Sequence, residues 1–389
     1  MKIAFVATTD FSIWRLRKGL LTTLSSSGYD VYVICPSGSY VQLIRSLGAR
    51  HIPVQVNRFI DPVGDLKFLV ELYKIFQTEE FDLIHNFMIK PNTYCAIAGW
   101  LAGARRIVAL VAGLGYAFSD NENLKFRLLR LIALLCYRIG FRLTDKVWFQ
   151  NSDDLELLVS ESIIEREKAI LIKGSGVDLQ EFSMEAVAPN CLAKLRQELS
   201  LANHSQVVVM PARAQRSKGV LEFIEASNLV AQRNPDCVFL LMGLPTGNSP
   251  EAIPKKYLRE KESSYFRWLG FREDAREVLA LADVVALPSY YREGIPRSLL
   301  EALALSKPIV TTDSVGCRET VDNNKNGFLV PARDAHALAQ AINELLSDVE
   351  LRQKFGCYSR LKAENEFSER LVVKRVITEL YGLPAPQSM

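Results

Sequence analysis

Apolar residues fall along this chain in short, almost unbroken runs, and between the runs they recur at every third or fourth position. The runs at 2–7, 30–35, 51–56, 82–85, 106–111, 146–149 and 169–172 have the length and aliphatic content of strands. Helical periodicity fills 12–26, 66–77, 92–101 and 124–141 between them. Strands without polar alternation, joined by helices, predict a parallel sheet covered on both faces. Glycines at 174 and 176 and a weakly patterned stretch around Pro189 then read as a linker. The alternation restarts beyond it, with strands at 207–210, 238–242, 265–269, 284–287, 309–311 and 328–330. Helices are predicted at 218–232, 275–281, 297–305, 335–346 and 368–380. The expected fold class is α/β, with two doubly wound domains facing a crevice, where such sheets bind ligands at their strand carboxyl ends.

Composition sharpens this picture in three ways. A length of 389 residues exceeds what one core usually supports, in keeping with two domains. No stretch approaches the roughly 18 apolar residues of a membrane span, and the opening run stops at Thr8-Thr9-Asp10, so it reads as a first strand and not as a signal peptide. Seven cysteines, without paired or zinc-like spacing, read as reduced, buried and cytosolic. Net charge is +3, yet residues 1–150 hold 18 Lys and Arg against 11 Asp and Glu, a surplus of seven. A nucleic acid or an anionic membrane would account for that surplus. No nucleic-acid module motif accompanies it, which disfavours the first.

The chemistry concentrates in the second half. In 210–219 a strand ends in a loop bearing Arg213, Arg216 and Lys218 before a helix opens. Amides at a helix start and two flanking cations would hold a diphosphate, although the same segment also reads as a solvated basic turn. In 288–302, Pro296 suits a helix's first turn and Gly294 permits close approach of backbone to ligand. Glu293 precedes that helix and Glu301 lies in its second turn. Eight residues at ~1.5 Å rise separate them by up to about 12 Å, too far for an acid/base dyad unless the loop folds back. They suit two hydroxyl-bearing ends of one ligand, or they simply favour the helix N-terminus.

Glu293 and Glu301, with seven residues between them, match the E-x7-E signature of retaining GT-B glycosyltransferases, and the chain resembles family 4 of those enzymes over essentially its whole length. Matching pieces include Arg213 with Lys218, Gly174-Ser175-Gly176-Val177-Asp178, Gly270-Phe271-Arg272 and Asn326-Gly327-Phe328. The resemblance implies two Rossmann-like domains, an acceptor-binding one over 1–175 and a donor-binding one over 176–366, with the helix in 367–389 returning to the first. It implies that Arg213, Lys218 and Glu293 form the catalytic set, with Arg213 and Lys218 on the donor diphosphate. Glu301 would meet the ribose hydroxyls and Glu293 the sugar. Gly270, Phe271 and Arg272 would border the base, and Gly294, Ile295, Pro296 and Arg297 would approach the phosphates. No cofactor and no metal are implied, since cationic side chains can neutralise the leaving group. The donor would be a UDP-sugar and the outcome retention.

For the first half, His85 and Lys90 around one strand end, with Tyr116 in Gly113-Leu114-Gly115-Tyr116, are similar to a bacterial branch acting on polyprenyl-diphosphate-linked saccharides, N-acetylgalactosamine transferases included. These three are the acceptor candidates, with His85 equally readable as an ordinary strand-end residue. Surface-glycan assembly (O-antigen, capsule or glycoprotein glycan) is the implied setting, with the enzyme peripheral on the inner face of the cell membrane. Two departures stand out. Val111-Ala112-Gly113 holds no histidine where many members have one after the fifth strand, and Thr8-Thr9-Asp10 lacks the usual glycine pair. Residues 124–142 form a basic amphipathic helix, with Arg127, Arg130, Arg138 and Arg142 within roughly 120° and Lys125 nearby. It reads as a membrane-surface element or as a packed helix with its arginines in solvent. A nucleotide-sugar 2-epimerase and a non-catalytic membrane-surface binder are the rival readings of the whole chain.

Overall fold

A computed structural model describes residues 1–57, 61–118, 123–247 and 249–386. It divides into two compact units, Met1–Gly176 with Glu369–Met389, and Val177–Ser368. The last three residues of the expected C-terminal segment lie outside the described residues.

The first unit runs β1 (Lys2–Val6), α1 (Asp10–Ser26), β2 (Asp30–Cys35), α2 (Val41–Ser46), β3 (Arg50–Pro53), α3 (Pro62–Glu79), β4 (Leu83–Phe87), α4 (Ile89–Leu101), β5 (Ile107–Val111), α5 (Leu124–Arg142), β6 (Lys146–Phe149), α6 (Ser152–Ser160) and β7 (Ala169–Leu171). Among the described residues its strands pair in parallel in the order β3-β2-β1-β4-β5-β6-β7. Successive side chains of a strand point to opposite faces, so β1 serves two cores. Ile3 and Phe5 pack with α1, while Ala4 and Val6 pack with Phe68 and Leu72 of α3. Asp61 fixes where α3 begins, because its carboxylate accepts from the Gly64 amide at 3.1 Å and Pro62 supplies a preset φ.

The second unit runs α7 (Pro189–Glu198), β8 (Val207–Pro211), α8 (Val220–Ala231), β9 (Val238–Met242), α9 (Lys255–Glu260), β10 (Phe266–Gly270), α10 (Ala275–Leu281), β11 (Val284–Leu287), α11 (Arg297–Ala304), β12 (Ile309–Thr312), β13 (Gly327–Val330), α12 (Ala335–Ser347) and α13 (Val349–Lys362). Its strands lie in the order β10-β9-β8-β11-β12-β13. The order reverses between β8 and β11, which opens a cleft above their carboxyl ends. The stretch at Pro189, expected as linker, is helix α7, whose Leu195 is buried. Two cysteines expected inside the core are exposed, because Cys191 of α7 and Cys357 of α13 fall on the solvent side of their helices. Helix α8 starts at Val220, and Lys218 closes a short 3-10 turn ahead of it.

The chain then returns. Helix α14 (Glu369–Arg375) and a wider π-helical turn (Val376–Leu380) place Val373, Ile377 and Tyr381 among Leu20, Val31 and Trp148 of the first unit.

Candidate functional site

The loops after β8 and β11 are joined by backbone. Gly219 takes φ +80°, and a Cβ there would lie 2.1 Å from the Pro288 carbonyl oxygen, so only glycine lets this turn rest on its neighbour. The amides of Tyr290 and Tyr291 both donate to the Ser217 carbonyl at 2.9 Å. From the other side, Ser314 Oγ donates to the Ser289 carbonyl at 2.7 Å and the Thr312 hydroxyl donates to the same oxygen. Gly316, at φ +78°, brings its own backbone against Gly294, where a Cβ would meet the carbonyl oxygen at 1.8 Å. The segment carrying Glu293 and Gly294 is therefore held on two sides.

Within this frame the Lys218 ammonium pairs with the Glu293 carboxylate, and Ser289 Oγ donates to the same carboxylate at 3.3 Å. Lys218 also stands over the Tyr291 ring, 5.0 Å from its centroid. The buried Cys317 thiol is pushed up to about 11, first by burial and then by the charge of Glu293. Glu301 is buried in the second turn of α11, and Arg297 Nε donates to it at 3.1 Å. Arg213 is exposed and makes no ion pair among the described residues. Ile295 is buried and Pro296 caps α11 instead of entering its first turn. Two buried polar atoms, Ser217 Oγ and Arg297 Nη1, have no hydrogen-bond partner among the described residues. Leaving such atoms unpaired costs about 1–3 kcal/mol each, a penalty that a polar ligand would relieve.

The β10 end lies beside this loop pair. The Gly243 amide donates to the Gly270 carbonyl at 2.7 Å, and a Cβ at Gly243 would sit 2.1 Å from the Ala212 carbonyl oxygen. Phe271 is 65% exposed and presents an uncovered ring. Arg272 is tied instead to Asp274 at 2.6 Å and to Glu198 at 2.6 Å, hydrogen bonds that raise its pKa. Its guanidinium fixes this loop to α7, and the backbone and Phe271 are what remain open to a ligand. Sequence reasoning missed Ser217, Ser289, Thr312, Ser314 and Gly316. Their only signal was a run of small and hydroxyl residues at strand ends.

The first-unit candidates have different surroundings. His85 lies on β4 with 0% exposure, its Nδ1 2.6 Å from the Tyr381 hydroxyl, and burial first and the Arg17 charge second hold its pKa well below the usual range. The expectation that His85 lines an acceptor surface is corrected: the returning C-terminal segment covers it. Lys90, in the first turn of α4, forms a 2.5 Å ion pair with the buried Asp65, which also accepts from the Tyr94 hydroxyl. Its charge is neutralised inside the fold. Tyr116 is half-buried against Phe126, with ring centroids 4.8 Å apart. Lys125, Arg127, Arg130, Arg138 and Arg142 are all exposed on α5.

Two Rossmann-like units, one carrying a cation–carboxylate pair and a second carboxylate at its switch point, define a glycosyltransferase of the GT-B architecture. Residues 2–151 match the family described as Glycosyl transferase 4-like, and residues 193–362 match Glycosyl transferases group 1. The chain belongs to this family. It is 30% identical over 382 residues to the N,N'-diacetylbacillosaminyl-diphospho-undecaprenol alpha-1,3-N-acetylgalactosaminyltransferase of Campylobacter jejuni, covering 97% of each chain. It is 28% identical over 368 residues to an Escherichia coli UDP-Gal:alpha-D-GlcNAc-diphosphoundecaprenol alpha-1,3-galactosyltransferase, covering 92% of this chain and 90% of that one. The fold matches Anabaena Alr3699/HepE, solved with UDP and glucose, at a TM-score of 0.79 and 21% identity, over 98% of this chain and 100% of that one.

Proposed function

We propose that this glycosyltransferase moves a sugar of the N-acetylhexosamine or galactose type from a UDP-sugar to a polyprenyl-diphosphate-linked saccharide, with retention and without a metal, in bacterial surface-glycan assembly at the inner face of the cell membrane. The observation that carries it is the Lys218–Glu293 pair at the β8/β11 switch point, with Glu301 one helix turn beyond the loop. Two relatives with full-length coverage act, by their names, on undecaprenyl-diphosphate-linked sugars, one transferring N-acetylgalactosamine and one galactose.

On donor binding the pair separates. Lys218 turns to the diphosphate with Arg213, and Glu293 is released to accept from the sugar hydroxyls. Glu301 holds the ribose, and Phe271 lies on the base. Charge developing on the leaving diphosphate meets two cations and the amides before α11, which is where electrostatic catalysis is most effective. As the bond from the anomeric carbon to the diphosphate oxygen breaks, the acceptor oxygen bonds to the same face, and its proton passes to the departing phosphate.

The test is transfer from radiolabelled UDP-N-acetylgalactosamine, UDP-N-acetylglucosamine and UDP-galactose to a polyprenyl-diphosphate saccharide. Labelled lipid product with one donor, lost in Glu293→Ala, is the expected result. No product from any donor, with UDP-sugar affinity unchanged in Glu293→Ala, would sink the proposal. A donor altered without any acceptor present would instead indicate epimerase chemistry.

A further inference from the structure

The strand order of the first unit reverses between β1 and β4, so a ligand meets this sheet above their carboxyl ends. On the β1 side of that point two loops are tied together. The Asp10 carboxylate accepts from the Phe11 amide and from the Tyr40 amide, each at 2.8 Å. A Cβ at Gly38 would lie 2.4 Å from the same carboxylate, so only glycine lets the loop after β2 close on it. The clamp sets the Phe11 and Tyr40 rings edge to face, with centroids 5.2 Å apart, and leaves Phe11 49% exposed.

Beyond these rings, at the carboxyl ends of β2 and β3, lies a cavity of about 970 Å³ walled by α3. Pro36, Pro53 and Val56 supply an apolar lining, while Ser37, Gln55, Lys67 and Glu71 bring a hydroxyl, an amide, an ammonium and a carboxylate. Among the described residues these four side chains make no hydrogen bond or ion pair, so their donors and acceptors are open to a ligand. One cation stands against the carboxylates of Asp61 and Glu71, which disfavours an anion. Mixed donors and acceptors over an apolar lining fit a neutral ring with a rim of hydroxyls and apolar C–H faces, the chemistry of a pyranose. Neighbouring strands lie ~4.8 Å apart, so the cavity stands about 10 Å from the β1/β4 switch point, roughly two hexose residues away. Phe11 and Tyr40 occupy the interval, and an aromatic face is the kind of surface on which a sugar ring stacks.

We propose that this edge of the first unit is a saccharide track. The β2–β3 cavity holds a neutral pyranose of the acceptor glycan, Phe11 stacks on the sugar before it, and the acceptor therefore carries two or more sugars. The inference rests on the functional reading and extends it from a lipid-linked saccharide of any length to an oligosaccharide.

Binding of the full chain to an array of neutral and acidic mono- to tetrasaccharides selects a glycan. Calorimetry with that glycan then compares the wild type, Phe11→Ala and Lys67→Ala/Glu71→Ala. Phe11 and Lys67 are exposed, and Glu71 is half-buried without a partner among the described residues, so the variants fold, and thermal melting checks this. The wild type should bind a neutral oligosaccharide roughly tenfold or more tighter than its constituent monosaccharides. Each variant should lose about tenfold in affinity for the oligosaccharide, with UDP affinity unchanged. Equal affinity for mono- and oligosaccharides, selection of acidic glycans, binding of no glycan, or full affinity in both variants overturns the track. So does equal transfer onto polyprenyl-diphosphate mono- and trisaccharides, a result that leaves the functional reading intact. Oligosaccharide binding lost in the variants, in a protein that transfers to no lipid-linked form of that glycan, supports the track and overturns the functional reading.

Discussion

Adding one methyl group at position 316 tests whether the Glu293 loop must sit where it does. Gly316 has φ +78°, and a Cβ built there lies 1.8 Å from the Gly294 carbonyl oxygen and 2.8 Å from that of Glu293. Real Cβ atoms essentially never come closer than 3.0 Å, so the loop must retreat by about 1.2 Å. The left-handed backbone costs alanine a further ~1–2 kcal/mol. Misplacement of about 1 Å at a reacting centre lowers the rate on the order of 100-fold. Gly316→Ala should therefore remain folded, lose about 2–4 kcal/mol of stability, and show kcat/KM reduced about 100-fold. Gly103→Ala is the control. It has φ +74° and nothing within 4 Å of its Cβ position, so it bears the backbone cost without displacing any neighbour. Urea denaturation and sugar transfer are measured on both. Should Gly316→Ala keep activity within threefold of wild type while matching the control in stability, the idea that this contact positions Glu293 fails.

Three further outcomes follow from the same geometry. Lys218→Met strands the nearly buried Glu293 carboxylate and should cost about 3 kcal/mol in urea unfolding, with Glu293→Gln in the same chain restoring most of it. Phe271→Ala removes a ring that is 65% exposed, so stability should change by less than about 0.5 kcal/mol while UDP affinity measured by calorimetry falls roughly tenfold. His85 predicts a pH dependence. Its folded pKa is depressed below the ordinary 6.5, so on acidification the unfolded chain takes up a proton that the folded chain refuses, and stability declines as pH falls below 6.5. Between pH 7.5 and 5.5 the wild type should lose on the order of 1 kcal/mol more than His85→Gln; equal losses would contradict the assignment.

The strands were legible because parallel strands buried on both faces need continuous apolar runs, and β2, β6, β9 and β11 coincide with the runs at 30–35, 146–149, 238–242 and 284–287. Helices α7 and α13 were not, since Pro189–Glu198 and Val349–Lys362 bury few side chains and leave weak periodicity. Loop chemistry and the resemblance carried by the E-x7-E spacing singled out Glu293, Glu301 and Lys218. Neither could pair Lys218 with Glu293, which lie 75 residues apart and meet only because β11 pairs with β8. His85 was misread for a related reason: its partner Tyr381 stands 296 residues away, and nothing near position 85 signals that cover. On α5 the helical period located the arginines, but only the neighbours of Phe126 and Tyr137 determine which side meets the protein.

The returning C-terminal segment makes assembly during synthesis discontinuous. Unit two is one uninterrupted stretch, Val177–Ser368, and can close as soon as it leaves the ribosome, whereas unit one lacks Val373, Ile377 and Tyr381 until after unit two has been made. At roughly 5–20 residues per second, the interval between Gly176 and Glu369 lasts on the order of 10–40 s. Throughout it Leu20, Val31 and Trp148 face an unfilled groove, and His85 is uncovered. The half of the protein that is made first is therefore the half that matures last, and a nascent chain halted before Glu369 should be captured by chaperones through unit one.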